Sequence, residues 1–143
     1  MEMTEIPRAE IPVPLTMVLV TDQFQCQRLI VAGREIADRS GTPLEVINIA
    51  NPKVPQNPAA VEFLFQISKE NDATMMVHYS DEPAKFLASL IKEKLPAYVV
   101  SGMPQSPNSL LHKLWTRFEL ISFYTVDASG IAEQITLSSR VIA

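Results

Sequence analysis

Apolar residues along this chain fall into short unbroken runs that alternate with longer stretches of three- and four-residue spacing. The first run, Leu15-Thr16-Met17-Val18-Leu19-Val20, turns polar at Thr21-Asp22-Gln23. A strand apolar on both faces belongs in the middle of a covered parallel sheet. Next, Cys26, Leu29, Ile30, Gly33, Ile36 and Ala37 form one helical stripe, with Gly41 placed to close it. Leu44 to Ile49 is β-branched and reads as a second strand. Asn57-Pro58 supplies a cap followed by proline at the first helical position. The helix it opens, to about Asn71, is expected to bury Val61, Leu64, Phe65 and Ser68.

Thr74 to Tyr79 makes a third strand. Ser80-Asp81-Glu82-Pro83 opens a helix with the stripe Phe86, Leu87, Leu90 and Ile91, stopped before Pro96. Ala97 to Val100 is a fourth strand ending in Ser101-Gly102. Ser106-Pro107 repeats the cap-plus-proline signal ahead of Leu110, Leu111, Leu114, Trp115 and Phe118. Leu120 to Val126 is the fifth strand. Five strands alternating with four helices predict an α/β fold, a parallel open sheet with helices on both faces. Residues 1–14, with three prolines, read as an N-terminal arm, 15–126 as the domain, and 127–143 as a tail. Ile135, Leu137 and Val141 alternate with polar residues in that tail, which suggests an added strand or an arm exchanged with a partner.

The 143 residues suffice for one core. Net charge is −4 with no cluster of Lys or Arg, so the basic face that nucleic acid requires is missing. No apolar run approaches the roughly 20 residues of a membrane span. The N-terminus lacks the layout of a signal peptide. The single cysteine, Cys26, cannot form an internal disulfide, so a reducing cytoplasm is the expected location.

Signatures of strong chemistry are absent. There is no phosphate loop with Lys-Ser/Thr, no Gly-x-Gly-x-x-Gly, no nucleophile elbow and no His-Glu-x-x-His. His78 falls in a strand, where packing explains it, and His112 falls off its helix's apolar stripe, on an expected solvated face. Cys26 begins the inward stripe and is read as a small hydrophobe. The polar ends of the strands hold the remaining candidates. Thr21-Asp22 ends the first strand, and Ser101 to Ser106 ends the fourth and opens a helix. If those strands are neighbours, the two loops face each other at the point where strand order reverses. N–H groups near Ser106 suit an anion. Asp22 suits a ribose hydroxyl or an adenine amine, or serves only as a helix cap.

From Leu15 to Val126 the pattern resembles the universal stress protein family. Its strongest parts are Val18 to Asp22, Ala37 to Val46, Tyr98 to Gly102 and Ile121 to Val126. The turn Tyr79 to Ala84 is most similar to the stress-protein-like segment of potassium-sensing histidine kinases. The resemblance implies an adenine nucleotide alpha hydrolase-like fold with strand order 3-2-1-4-5. It also implies a nucleotide site in which Thr21, Asp22 and Gln23 meet adenosine with Ile49, while Ser101, Gly102, Ser106 and Ser109 stand where phosphates bind. The family's phosphate loop is Gly-x-x-Gly-x₉-Gly-Ser/Thr. Here Gln105 replaces the second glycine, and only a few residues separate Gly102 from Asn108-Ser109. Such a loop is not expected to cradle a triphosphate, leaving an adenine-type or cyclic-dinucleotide ligand.

The expectation is therefore a cytoplasmic, non-catalytic sensory or interaction domain, with no cofactor assigned. A homodimer through Leu120 to Val126 is expected, because an exposed strand edge would aggregate. The rival is a nucleotide-processing enzyme on a related fold. Its only candidate carboxylate pair, Asp22 and Asp81, would stand two strands apart, about 9–10 Å. A phospho-receiver is disfavoured, because Asp127 follows the fifth strand where a lysine is needed.

Overall fold

The computed structural model describes residues 13–104 and 109–136. In chain order the elements are β1 (Thr16–Leu19), a 3-10 turn (Phe24–Cys26), α1 (Gln27–Ser40), β2 (Leu44–Ala50), α2 (Pro58–Glu70) and β3 (Thr74–Tyr79). They continue with α3 (Pro83–Lys94), β4 (Tyr98–Gly102), α4 (Leu110–Arg117), β5 (Ser122–Val126) and β6 (Ala132–Gln134). The sheet has six strands, in the order β3-β2-β1-β4-β5-β6. The five strands expected from the pattern are parallel, and β6 adds an antiparallel sixth.

Two apolar layers enclose the sheet. On one face Val18, Val46 and Val100 meet Leu29, Ile30 and Ile36 of α1 and Leu64 and Ile67 of α2. On the other, Met17, Ile47, Val99 and Phe123 meet Leu87, Leu90 and Ile91 of α3 and Leu114 and Trp115 of α4. Consecutive residues Met17 and Val18 are both fully buried, on opposite faces, which is why β1 carries no polar alternation. Burial of such side chains contributes about 1.5–3 kcal/mol each.

Local signals work as the chemistry dictates. Gly41 closes α1 in the left-handed region (φ 71°), its N–H donating to Ala37 O at 2.8 Å. Asn57 Oδ1 accepts from the N–H groups of Ala59 and Ala60 at the start of α2. Gly33 lies so close to β1 that a Cβ there would collide with Val18 Cγ2. The glycine is what lets α1 settle onto the strand.

Three expectations need correction. The buried stripe of α2 is Ala60, Leu64, Ile67 and Ser68, whereas Phe65 is largely exposed and Val61 half-buried. Two apolar stripes compete on this helix, and the one beginning with the small Ala60 allows the closer approach. Strand β5 starts at Ser122, and Leu120 stands fully exposed in the turn before it. The edge of β5 is not open for a second copy, because β6 of the same chain pairs with it along Tyr124↔Gln134, Thr125↔Glu133 and Val126↔Ala132. The cause is a tight turn. Asp127 Oδ1 accepts from the N–H groups of Ser129 and Ile131, and Gly130 takes φ 86°. The homodimer contact expected at Leu120 to Val126 is thus occupied from within. Of the tail residues that prompted the added-strand expectation, Leu137 and Val141 lie outside the described residues, as does most of the arm 1–14.

Candidate functional site

The strands flanking β1 run past it. Pairing of β1 with β2 stops at Leu19↔Ile47, and with β4 at Val18↔Val100. Yet β2 continues to Ala50 and β4 to Gly102. Ladder direction follows from the bonds at each end. Val20 N–H donates to Ile47 O while Ser80 N–H donates to Ala50 O, so alternate residues of β2 turn to opposite neighbours. Ile49 therefore aims its N–H and C=O toward the β1 side, above the end of that strand. By the same alternation Ser122 N–H on Ala97 O and Tyr98 N–H on Leu15 O turn the peptide groups of Gly102 toward β1. Two strand edges face each other across the width of one missing strand, about 9–10 Å.

A cleft of about 390 Å³ occupies this gap. Its base is apolar, formed by Val20, Leu29, Ile47 and Leu87. Leu110 and Leu111 of α4 and the exposed Met103 close one side. The polar groups are few. Thr21 Oγ1 lies 3.6 Å from Cys26 Sγ, Ser101 Oγ donates to Gly102 O at 3.0 Å, and Gln23 stands at the rim. An apolar cleft with a few converging polar groups, at the reversal of strand order, has the make-up of a small-molecule site.

Of the residues expected at the site, Thr21, Gln23, Ile49, Ser101 and Gly102 line the cleft together. Asp22 does not line it. Its Oδ2 accepts from Asn57 N–H at 2.7 Å, which ties the end of β1 to the start of α2. Ser109 is the residue before α4, with its hydroxyl 3.1 Å from His112 Nδ1. Ser106 lies outside the described residues.

The histidines have packing partners. His78 meets the ring of Phe86 at 5.1 Å. His112 is half-buried edge-on against Trp115 at 4.7 Å rather than on a solvated face. Cys26 is buried at the back of the cleft. Asp81 is exposed in the turn before α3, away from the cleft lining. Among the described residues no three His, Cys, Asp or Glu side chains are grouped to hold a metal ion, and no helix is long and apolar enough to cross a membrane.

One residue at the cleft was missed by sequence reasoning. Arg28, in the first turn of α1, donates from Nε to Asp127 O at 2.7 Å and from Nη1 to Gln25 O at 2.7 Å. A Cβ on Gly102 would stand 3.8 Å from its Nη2. The available signal was a cation at a helix N-terminus, where the helix dipole disfavours it. Such a placement calls for a compensating contact, here with the carbonyl at the end of β5.

No protein-family model matches the sequence, and no curated protein matches it. Solved structures do share its shape. A universal stress protein in complex with cAMP has a TM-score of 0.52 at 17% identity, over 73% of this chain and 82% of that chain. A universal stress protein from Archaeoglobus fulgidus gives 0.49 at 16% identity, over 69% and 83%. A universal stress protein family member from Burkholderia pseudomallei gives 0.45 at 12%, over 73% and 86%. The fold is thus the adenine nucleotide alpha hydrolase-like α/β fold of the first of these, with a mostly parallel sheet and a sixth strand added.

Proposed function

We propose that this chain is a cytoplasmic, stress-protein-like sensory or interaction module that holds an adenine-type nucleotide in the cleft above β1. The observation that carries the reading is the pair of peptide edges at Ile49 and Gly102, facing each other over an apolar base. A heteroaromatic ring has an apolar face for that base and a rim of donors and acceptors for a strand edge. Thr21, Gln23 and Ser101 add hydroxyl and amide partners at the lining. Asp22 contributes by holding the loop that leads into α2.

Three further points support this reading. A protein of the same fold has been solved with cAMP bound. The volume lies at the lower end of the roughly 300–1,000 Å³ of ligand pockets, which suits one nucleotide better than a dinucleotide. The Tyr79 to Ala84 turn resembles a segment of potassium-sensing kinases, in keeping with a regulatory role. The stretch Gly102 to Ser109 contains no second glycine, so a triphosphate would lack a backbone cradle.

Calorimetric titration of the chain with adenosine and ATP is the test. The expected outcome is measurable adenosine binding with no gain in affinity from the triphosphate. Micromolar ATP binding far tighter than adenosine would overturn the missing-cradle argument. Failure of adenosine to bind would overturn the ligand class.

A further inference from the structure

Among the described residues lining the cleft, Arg28 alone carries a charge. Its guanidinium is already partly committed. Nε and Nη1 each hold a backbone carbonyl, of Asp127 and Gln25, and these two bonds fix the plane of the group. Nη2 is the nitrogen beside Gly102, 3.8 Å from where a Cβ on that glycine would stand. An arginine held this way offers one nitrogen to an incoming oxygen rather than the two-pronged fork of a free guanidinium. The other polar groups among the described lining residues are neutral, so a second negative charge held against them would find no cation and would lose its hydration.

We propose that Arg28 is the anion anchor of the cleft, and that it selects ligands joining a flat apolar body to a single negative charge, as a cyclic mononucleotide does. The inference rests on the nucleotide-binding reading above and adds to it the charge of the ligand. One point charge, fixed in place before binding, loses little freedom when the ligand arrives. Phosphates beyond the first meet no second cation among the described lining residues and add no affinity.

The test compares adenosine, cyclic AMP, AMP and ATP by calorimetry on the full chain, with Arg28→Met and Arg28→Gln beside it. A charge-assisted hydrogen bond corresponds to roughly a ten- to hundredfold change in Kd. Cyclic AMP is therefore expected to bind at least about tenfold tighter than adenosine, with AMP and ATP no tighter than cyclic AMP. In Arg28→Met the preference should vanish while adenosine still binds. Arg28→Gln, neutral but still polar, should lose the preference in the same way. Thermal unfolding of each variant confirms a folded chain; should Arg28→Met fail that check, Arg28→Gln decides. Equal binding of adenosine and cyclic AMP, ATP binding tenfold tighter than cyclic AMP, or an unchanged preference in both variants would sink the role of Arg28 alone. If none of the four compounds binds, the nucleotide reading itself falls.

Discussion

The two ends of β1 are built from similar residues and behave in opposite ways. At its start the strand is tied down by hydrogen bonds around Thr16. Thr16 N–H donates to Pro43 O, Leu15 O accepts from Ala97 and Tyr98, and the Thr16 hydroxyl meets that of Thr42 at 2.7 Å. The Thr42 hydroxyl in turn contacts Ser40 Oγ at 3.0 Å. At the other end the Thr21 hydroxyl meets a thiol at 3.6 Å, a weak contact, and the neighbouring strands overshoot with peptide groups aimed into a gap. A sealed end holds the sheet together, and an end with hydrogen-bonding capacity left over is where a ligand can replace water. The same strand thus separates stability from binding along its length.

That division can be broken most forcefully between the ends, where α1 presses on the strand. Gly33→Leu would drive a side chain into Val18 and Leu44, both buried, so a loss of about 3 kcal/mol is expected in urea denaturation. An unchanged midpoint would mean that α1 does not fix β1 as described. The ends themselves are compared by Thr16→Val against Thr21→Val. The first removes a buried hydroxyl bond and should cost about 1 kcal/mol, the second only a few tenths. Equal losses would erase the distinction. Asp22→Ala is likewise expected to cost only a few tenths of a kcal/mol, since water can replace the carboxylate at the exposed Asn57 N–H. Adenosine affinity should survive that change. Loss of binding with stability intact would return Asp22 to the ligand itself.

How much could be read from sequence depends on how local each determinant is. Gly41 and the Asn57-Pro58 pair announced a helix end and a helix start because their chemistry acts on neighbouring N–H and C=O groups. Phe65 misled, since α2 carries two apolar stripes and the choice depends on which face can approach the sheet. At the candidate site Thr21, Gln23, Ser101 and Gly102 were singled out because polar strand ends collect at one rim in any fold of this kind, whereas Ile49 came from the family resemblance; all five line the cleft. Arg28 was missed because a single charged side chain on a helix reads as solvent-facing until its partner is known, and that partner is Asp127.

By itself the sequence determined the alternation of strands and helices, the two-faced burial of β1 and the apolar faces that α1 and α3 turn inward. Those follow from periodicities of two and about three and a half, which are set within a few residues. Only the tertiary structure decided that β2 and β4 outrun β1, that β6 folds back to close the β5 edge, and that Arg28 lines the cleft. Each of these is a matter of register and distance between segments far apart in the chain, and no local preference specifies where such segments meet.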